Sequence, residues 1–169
     1  MEPIAAASKD CETRKVGVWS DQPKHLEKHL REVTYFGESG YNTTRMLEEG
    51  NKEPRPMAAI LEHVFGPTFL SLYVYKLKAV VKVSLVHCYV PKEMGPELVE
   101  EGKAFVNKML LHRTVGLKLS RVDDQNSFVG RVHYVGDIAA ELLKLGLAKV
   151  AAPKEANFDA EYFKELKQA

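Results

Sequence analysis

At 169 residues, with 45% hydrophobic and 28% charged side chains, the chain has material for one domain plus appendages, hardly for two. Its net charge of +1 neither demands nor excludes nucleic acid, since a basic patch can hide in a balanced total. Two cysteines, Cys11 and Cys88, make no disulfide framework, no apolar run is long enough to span a membrane, and MEPIAAASKD is not a secretory signal, so an intracellular soluble domain is expected.

In chain order, Ile4 to Lys15 favours a helix, with Gly17 as its terminator. From Ser20 to Pro56 a short amphipathic pattern at Leu26, Leu30 and Val33 gives way to Gly37, Gly40, Asn42, Asn51, Pro54 and Pro56. Breakers of that density predict a long connector on the surface.

From Met57 the texture changes. MAAILEHVF reads as a strand punctuated by Gly66-Pro67. Leu70, Leu72 and Val74 alternate with Ser71, Tyr73 and Tyr75, and Ala79, Val81, Val83 and Leu85 alternate with Lys78, Val80, Lys82 and Ser84, which predicts two more strands. After Pro91 to Pro96 comes a helix with Leu98, Phe105, Val106, Met109 and Leu110 near one face. A fourth strand turns Val115, Leu117 and Leu119 inward. Asp123 to Asn126 form a polar turn, and a fifth strand runs from Phe128 to Val135. Asp137 caps the helix that Gly146 ends, and a last helix lies near Phe158, Tyr162, Phe163 and Leu166. Three strands, a helix, two strands and further helices fit an α+β fold, a five-stranded OB-fold barrel with flanking helices. An α+β fold with an open sheet is the alternative that pattern alone leaves.

The segments EEGKAFVNKMLLHRTVGLKL, SFVGRVHY and GDIAAELLKLGLAKV resemble the staphylococcal-nuclease-like repeats of the Tudor staphylococcal nuclease family, most closely the second repeat. The resemblance covers Met57 to Ala169. RKVGVWS, Arg14 to Ser20, is similar to the signature that closes a preceding repeat. The resemblance thus implies a tail of one repeat over 1–20, a connector over 21–56 and a nuclease-like domain over 57–169, in a piece of a longer tandem protein. The alternative is a complete protein with a disordered start.

Phosphodiester hydrolysis in this family needs carboxylates on calcium, a carboxylate acting on water, and arginines on the developing charge. The acidic turn after strand one is here Phe65, Gly66, Pro67 and Thr68; the strand-three arginine falls at Lys82; the next acidic segment reads His87 to Pro91; and the second arginine aligns with Ser127. Glu93 alone could replace one acid. The expectation is a catalytically silent domain with no metal and no cofactor. His87-Cys88 with His63, His112 or His133 lacks zinc-like spacing, and Cys88 reads as a small buried residue.

The resemblance implies RNA as a partner, bound weakly by the isolated domain, together with other repeats of the same chain and proteins of RNA-processing complexes. It implies roles in RNA silencing, transcript processing or transcriptional coactivation, in the cytoplasm and secondarily the nucleus, and no membrane. Candidate contacts are Lys76, Lys78, Lys82, Lys103, Lys108, Arg113, Lys118, Arg121 and Arg131, with Tyr73 and Tyr75 as outward stacking surfaces. Residues 57–169 hold 15 basic and 13 acidic side chains, so each lysine competes with the plain reading of a solvated surface. The other class of function is a purely structural or protein-interaction repeat.

Overall fold

The computed structural model describes residues 2–16, 19, 33–38, 40–151 and 160–168. Gly17, Leu26, Leu30 and Phe158, to which the sequence reading gave roles, lie outside the described residues. The chain divides into two compact units, 1–33 and 34–169.

In the first unit, helix α1 spans Glu2–Thr13. Arg14 pairs with Asp10 at 3.2 Å, and the helix gives out before Lys15, whose φ of 50° is left-handed.

The second unit is a closed barrel of β1 (Met57–Gly66), β2 (Phe69–Val74), β3 (Ala79–Leu85), β5 (Thr114–Val122) and β6 (Phe128–His133). The strands close in the order β1-β2-β3-β6-β5. Only β3 and β6 run parallel, Val83 to Leu85 against Phe128 to Gly130. The expected OB-like barrel therefore forms. Alternation builds its interior: Ala59, Leu61, Leu70, Leu72, Val81, Val83, Leu117 and Phe128 have no exposed surface. Each fully buried leucine contributes about 2 kcal/mol of transfer free energy.

Helix α3 (Pro96–Leu110) crosses between β3 and β5 and buries Gly102, Val106 and Leu110. Leu98, expected on that apolar face, is exposed. Gly102 stands there instead because a Cβ would lie 2.8 Å from Pro67 Cγ, too close to fit without a shift. Helix α4 (Ile138–Lys144) begins as expected, with Asp137 Oδ1 accepting from the Ala139 and Ala140 N–H groups. It ends at Gly146, whose φ of +71° glycine adopts without strain. Two short strands that alternation could not reveal, β4 (Cys88–Tyr89) and β7 (Lys149–Val150), pair with each other. Helix α5 (Ala160–Gln168) buries Tyr162 and Leu166.

Residues 34–38 and 40–56, part of the segment expected to lie on the surface, are built onto the barrel. Above Val83, β3 has no β6 partner, and Thr34 fills part of that edge: its N–H donates to Lys78 O and its carbonyl accepts from Val80 N–H. Phe36 and Tyr41 meet edge to face, and Tyr41 approaches Phe128. Helix α2 (Thr43–Asn51) follows, capped by Asn42, with Gly50 against Met57 and Leu119. Prolines and glycines announce irregular backbone, but they do not say what that backbone covers.

Candidate nucleic-acid interface

The cross-strand pairs arrange the outer side chains of β1, β2 and β3 in rows. Ile60 pairs with Tyr73 and Tyr73 with Val80; His63 pairs with Ser71 and Ser71 with Lys82; Gly66 pairs with Phe69 and Phe69 with Ser84, with Phe65 preceding that pair. The first row is closed to solvent: Tyr73 and Val80 are each only 8% exposed. Tyr73 is thus not the outward stacking surface expected of it. Its row neighbours and the Tyr75 ring, 5.3 Å away, enclose it, while Tyr75 itself is exposed.

The other two rows are more open: His63 is exposed and Lys82, Phe69 and Ser84 are half-buried, although Ser71 between His63 and Lys82 is buried. Phe65 meets His63 edge-on at 4.6 Å and Phe69 at 5.2 Å, and it is 45% exposed. Lys82 Nζ lies 4.3 Å from the Phe36 ring centroid and 5.7 Å from that of Phe65. A cation held over ring faces is attracted by their quadrupoles, by about 0.5–1 kcal/mol at an exposed site. This aromatic group escaped the sequence reading. Its signal was available, since Phe65 and Phe69 flank the β1–β2 turn, but the bulges in β1 between Leu61 and His63 and between Val64 and Gly66 break the alternation that would assign a face.

The other candidate cations are dispersed. Lys76 is ion-paired with Glu53 at 3.0 Å in the β2–β3 turn, and Lys78 is exposed beside it with a left-handed φ of 50°. Lys103 is half-buried and Lys108 exposed on α3. Arg113 donates to Tyr134 Oη at 2.8 Å and lies over that ring. Lys118 pairs across strands with Arg131, and Arg121 with Val129 beyond a bulge. Lys118 and Arg121 are exposed. Arg131 is half-buried, its guanidinium carbon 3.4 Å from the Tyr162 ring centroid. The structure therefore joins Lys118 with Arg131 and Lys76 with Lys78, but it draws no single basic patch from the set.

At the nuclease-like positions, Pro67 is buried against Gly102, the Thr68 carbonyl accepts from Leu85 N–H, and Ser127 is 4% exposed with its N–H donating to Asp123 Oδ1. Asp123 is occupied as a turn residue, accepting also from Gln125 N–H. Glu93 is exposed in the loop before α3. Among the described residues no three His, Cys, Asp or Glu side chains are grouped to hold a metal ion. His63, His112 and His133 likewise do not converge on Cys88 as a metal group. Cys88 is buried, which pushes its thiol up to about 12 with help from the Asp137 charge, so it is a poor nucleophile at neutral pH. His87 lies beside the Tyr162 and Phe163 rings.

Residues 82–169 match the model of the staphylococcal nuclease homologue family. The chain belongs to that family. A search of the curated proteins finds no match. The matched residues begin inside β3; β1, β2 and the rest of β3 complete the barrel of this staphylococcal nuclease homologue by strand pairing. No helix among the described residues is long and apolar enough to cross a membrane.

Proposed function

We propose that this domain is a catalytically silent nuclease-like repeat of the Tudor staphylococcal nuclease kind, one that binds RNA and protein partners and does not cut. The observation that carries this reading is the β1–β2 turn, where Phe65, Gly66, Pro67 and Thr68 stand in place of acids and Pro67 is packed into the α3 contact. Catalysis by this fold depends on a charged set acting together, and removal of one stabilising donor already costs roughly a hundredfold or more. RNA binding is supported by the barrel face with its rings and Lys82, and by the exposed Lys78, Lys118 and Arg121. In this reading the domain works with neighbouring repeats in RNA silencing, transcript processing or transcriptional coactivation, in the cytoplasm and also the nucleus. Contact with RNA is weak and sensitive to salt, strengthened by linkage to the other repeats.

The test is titration of labelled single- and double-stranded RNA with the purified chain, with and without calcium, following binding and cleavage together. Binding at low salt, lost when Lys78, Lys82 and Lys118 are reversed in charge, with no cleavage, is the expected result. Cleavage that requires calcium would sink the silent reading. RNA affinity untouched by the three reversals would sink the assignment of contacts. A structural or protein-interaction repeat is the second reading, favoured by the exposed Leu98, Tyr134, Val135 and Leu145. It predicts no RNA binding at any salt concentration.

A further inference from the structure

We infer that the two rows that are more open on the β1–β2–β3 face form a stacking shelf for single-stranded RNA: Phe65, flanked by His63 and Phe69, receives a nucleobase, and Lys82 takes the adjoining phosphate. The inference rests on the RNA reading above and deepens it by naming the subsite.

Four observations converge. Phe65 is 45% exposed although two aromatic rings already support it at 4.6 and 5.2 Å, so part of its ring is left for a ligand to cover. Lys82 Nζ is 5.7 Å from that ring, which puts a positive charge about one nucleotide's reach from the stacking position. Ser84, the partner of Phe69 across the strands, adds a hydroxyl, and the two rows contain no carboxylate; Glu62 sits in the neighbouring bulge of β1. The half-buried Phe36 borders the shelf on the far side of Lys82, at 4.3 Å from its Nζ, and limits it to a short segment.

Rings plus a cation suit a base and a phosphate better than an apolar peptide, which offers Lys82 no anion. The shelf is also sequence-tolerant, because every base offers a π-face.

The chain's lone tryptophan, Trp19, permits a direct test. In the full chain, Trp19→Phe combined with Phe65→Trp places the fluorophore on the shelf. Titration with a twelve-nucleotide oligouridylate at low salt is expected to quench its emission in step with binding followed by a label on the RNA. Phe65→Ser is expected to weaken binding about tenfold, the loss of one stacked base, with the far-ultraviolet spectrum unchanged. Lys82→Gln is expected to lower the slope of log affinity against log salt by about 0.7, one phosphate contact on a single strand. If the wild-type chain binds oligouridylate but Phe65→Ser is neutral and the tryptophan is not quenched, the shelf is overturned while the RNA reading survives. If the wild-type chain does not bind RNA at low salt, both fall. A loss of self-association in Phe65→Ser would then assign the face to protein docking.

Discussion

Two segments are fastened to the barrel, and they are fastened by different physics. Helix α5 is held through Asp137, which accepts from the Ala139 and Ala140 N–H groups and, at 3.0 Å, from Tyr162 Oη, with Arg131 stacked on the Tyr162 ring. Both carboxylate oxygens of Asp137 accept from Tyr162 Oη. Residues 34–38, 40 and 41 are held by one bridge to β3, by Phe36 over Lys82 and by Tyr41, whose buried hydroxyl finds no hydrogen-bond partner among the described residues. A satisfied charged network and an unsatisfied aromatic contact differ in the cost of breaking them, because an ionised acceptor roughly doubles a hydrogen bond while an orphaned hydroxyl subtracts from its own burial. The contrast also shows how two of the candidate cations are employed: Arg131 and Lys82 each take part in one of these attachments.

The largest effect should come from Asp137→Ala. It removes a helix cap and the acceptor of a buried phenol together, and we expect a loss of about 3 kcal/mol in urea unfolding. Tyr162→Phe keeps the ring under Arg131 and removes only the hydroxyl, so about 2 kcal/mol should be lost. If Tyr162→Phe were neutral, the bond to Asp137 would not be what fastens α5, and the contrast would collapse. Phe36→Ala tests the other side. It should cost about 1 kcal/mol, the worth of one edge contact and one exposed cation–ring pair. Amide exchange should then quicken at 34–38 and not at 160–168, a localised response that a general weakening of the barrel would not give.

How much of this was legible in the residues follows the same division. Interior alternation, the Asp137 cap and the Gly146 stop are local, and the barrel was readable from them together with the order of its elements. The outer face of β2 and β3 was misread at Tyr73 because burial there depends on what lies across the strands, and a period of two assigns a side without saying whether that side is wet. Gly102 could not be understood from its helix, since the reason for it is Pro67, brought in from the β1–β2 turn. The long cations were the least legible of all. Nothing in the sequence near Arg131 or Lys82 points to Tyr162 or Phe36, and only the fold brings each pair together.

The smallest expected effect at neutral pH is the most discriminating. Tyr41→Phe removes a hydroxyl that is buried without a partner among the described residues, so stability at pH 7 should stay within about 0.5 kcal/mol of the parent or rise slightly. Burial pushes the Tyr41 phenol up from 10.0 to about 12. The fold therefore favours the protonated form: the unfolded chain releases this proton near pH 10 while the folded chain still holds it. Tyr41 thus contributes stability that is full below pH 10 and is lost as pH rises towards 12. In Tyr41→Phe that part of the alkaline loss should vanish, leaving a shallower decline to which Cys88 and Tyr162, both raised by burial, still contribute. Urea midpoints at pH 9, 10 and 11 would measure it. If parent and variant decline in parallel, Tyr41 is solvated in solution, and the segment over the β3 edge is more loosely seated than its contacts with Phe36 and Phe128 require.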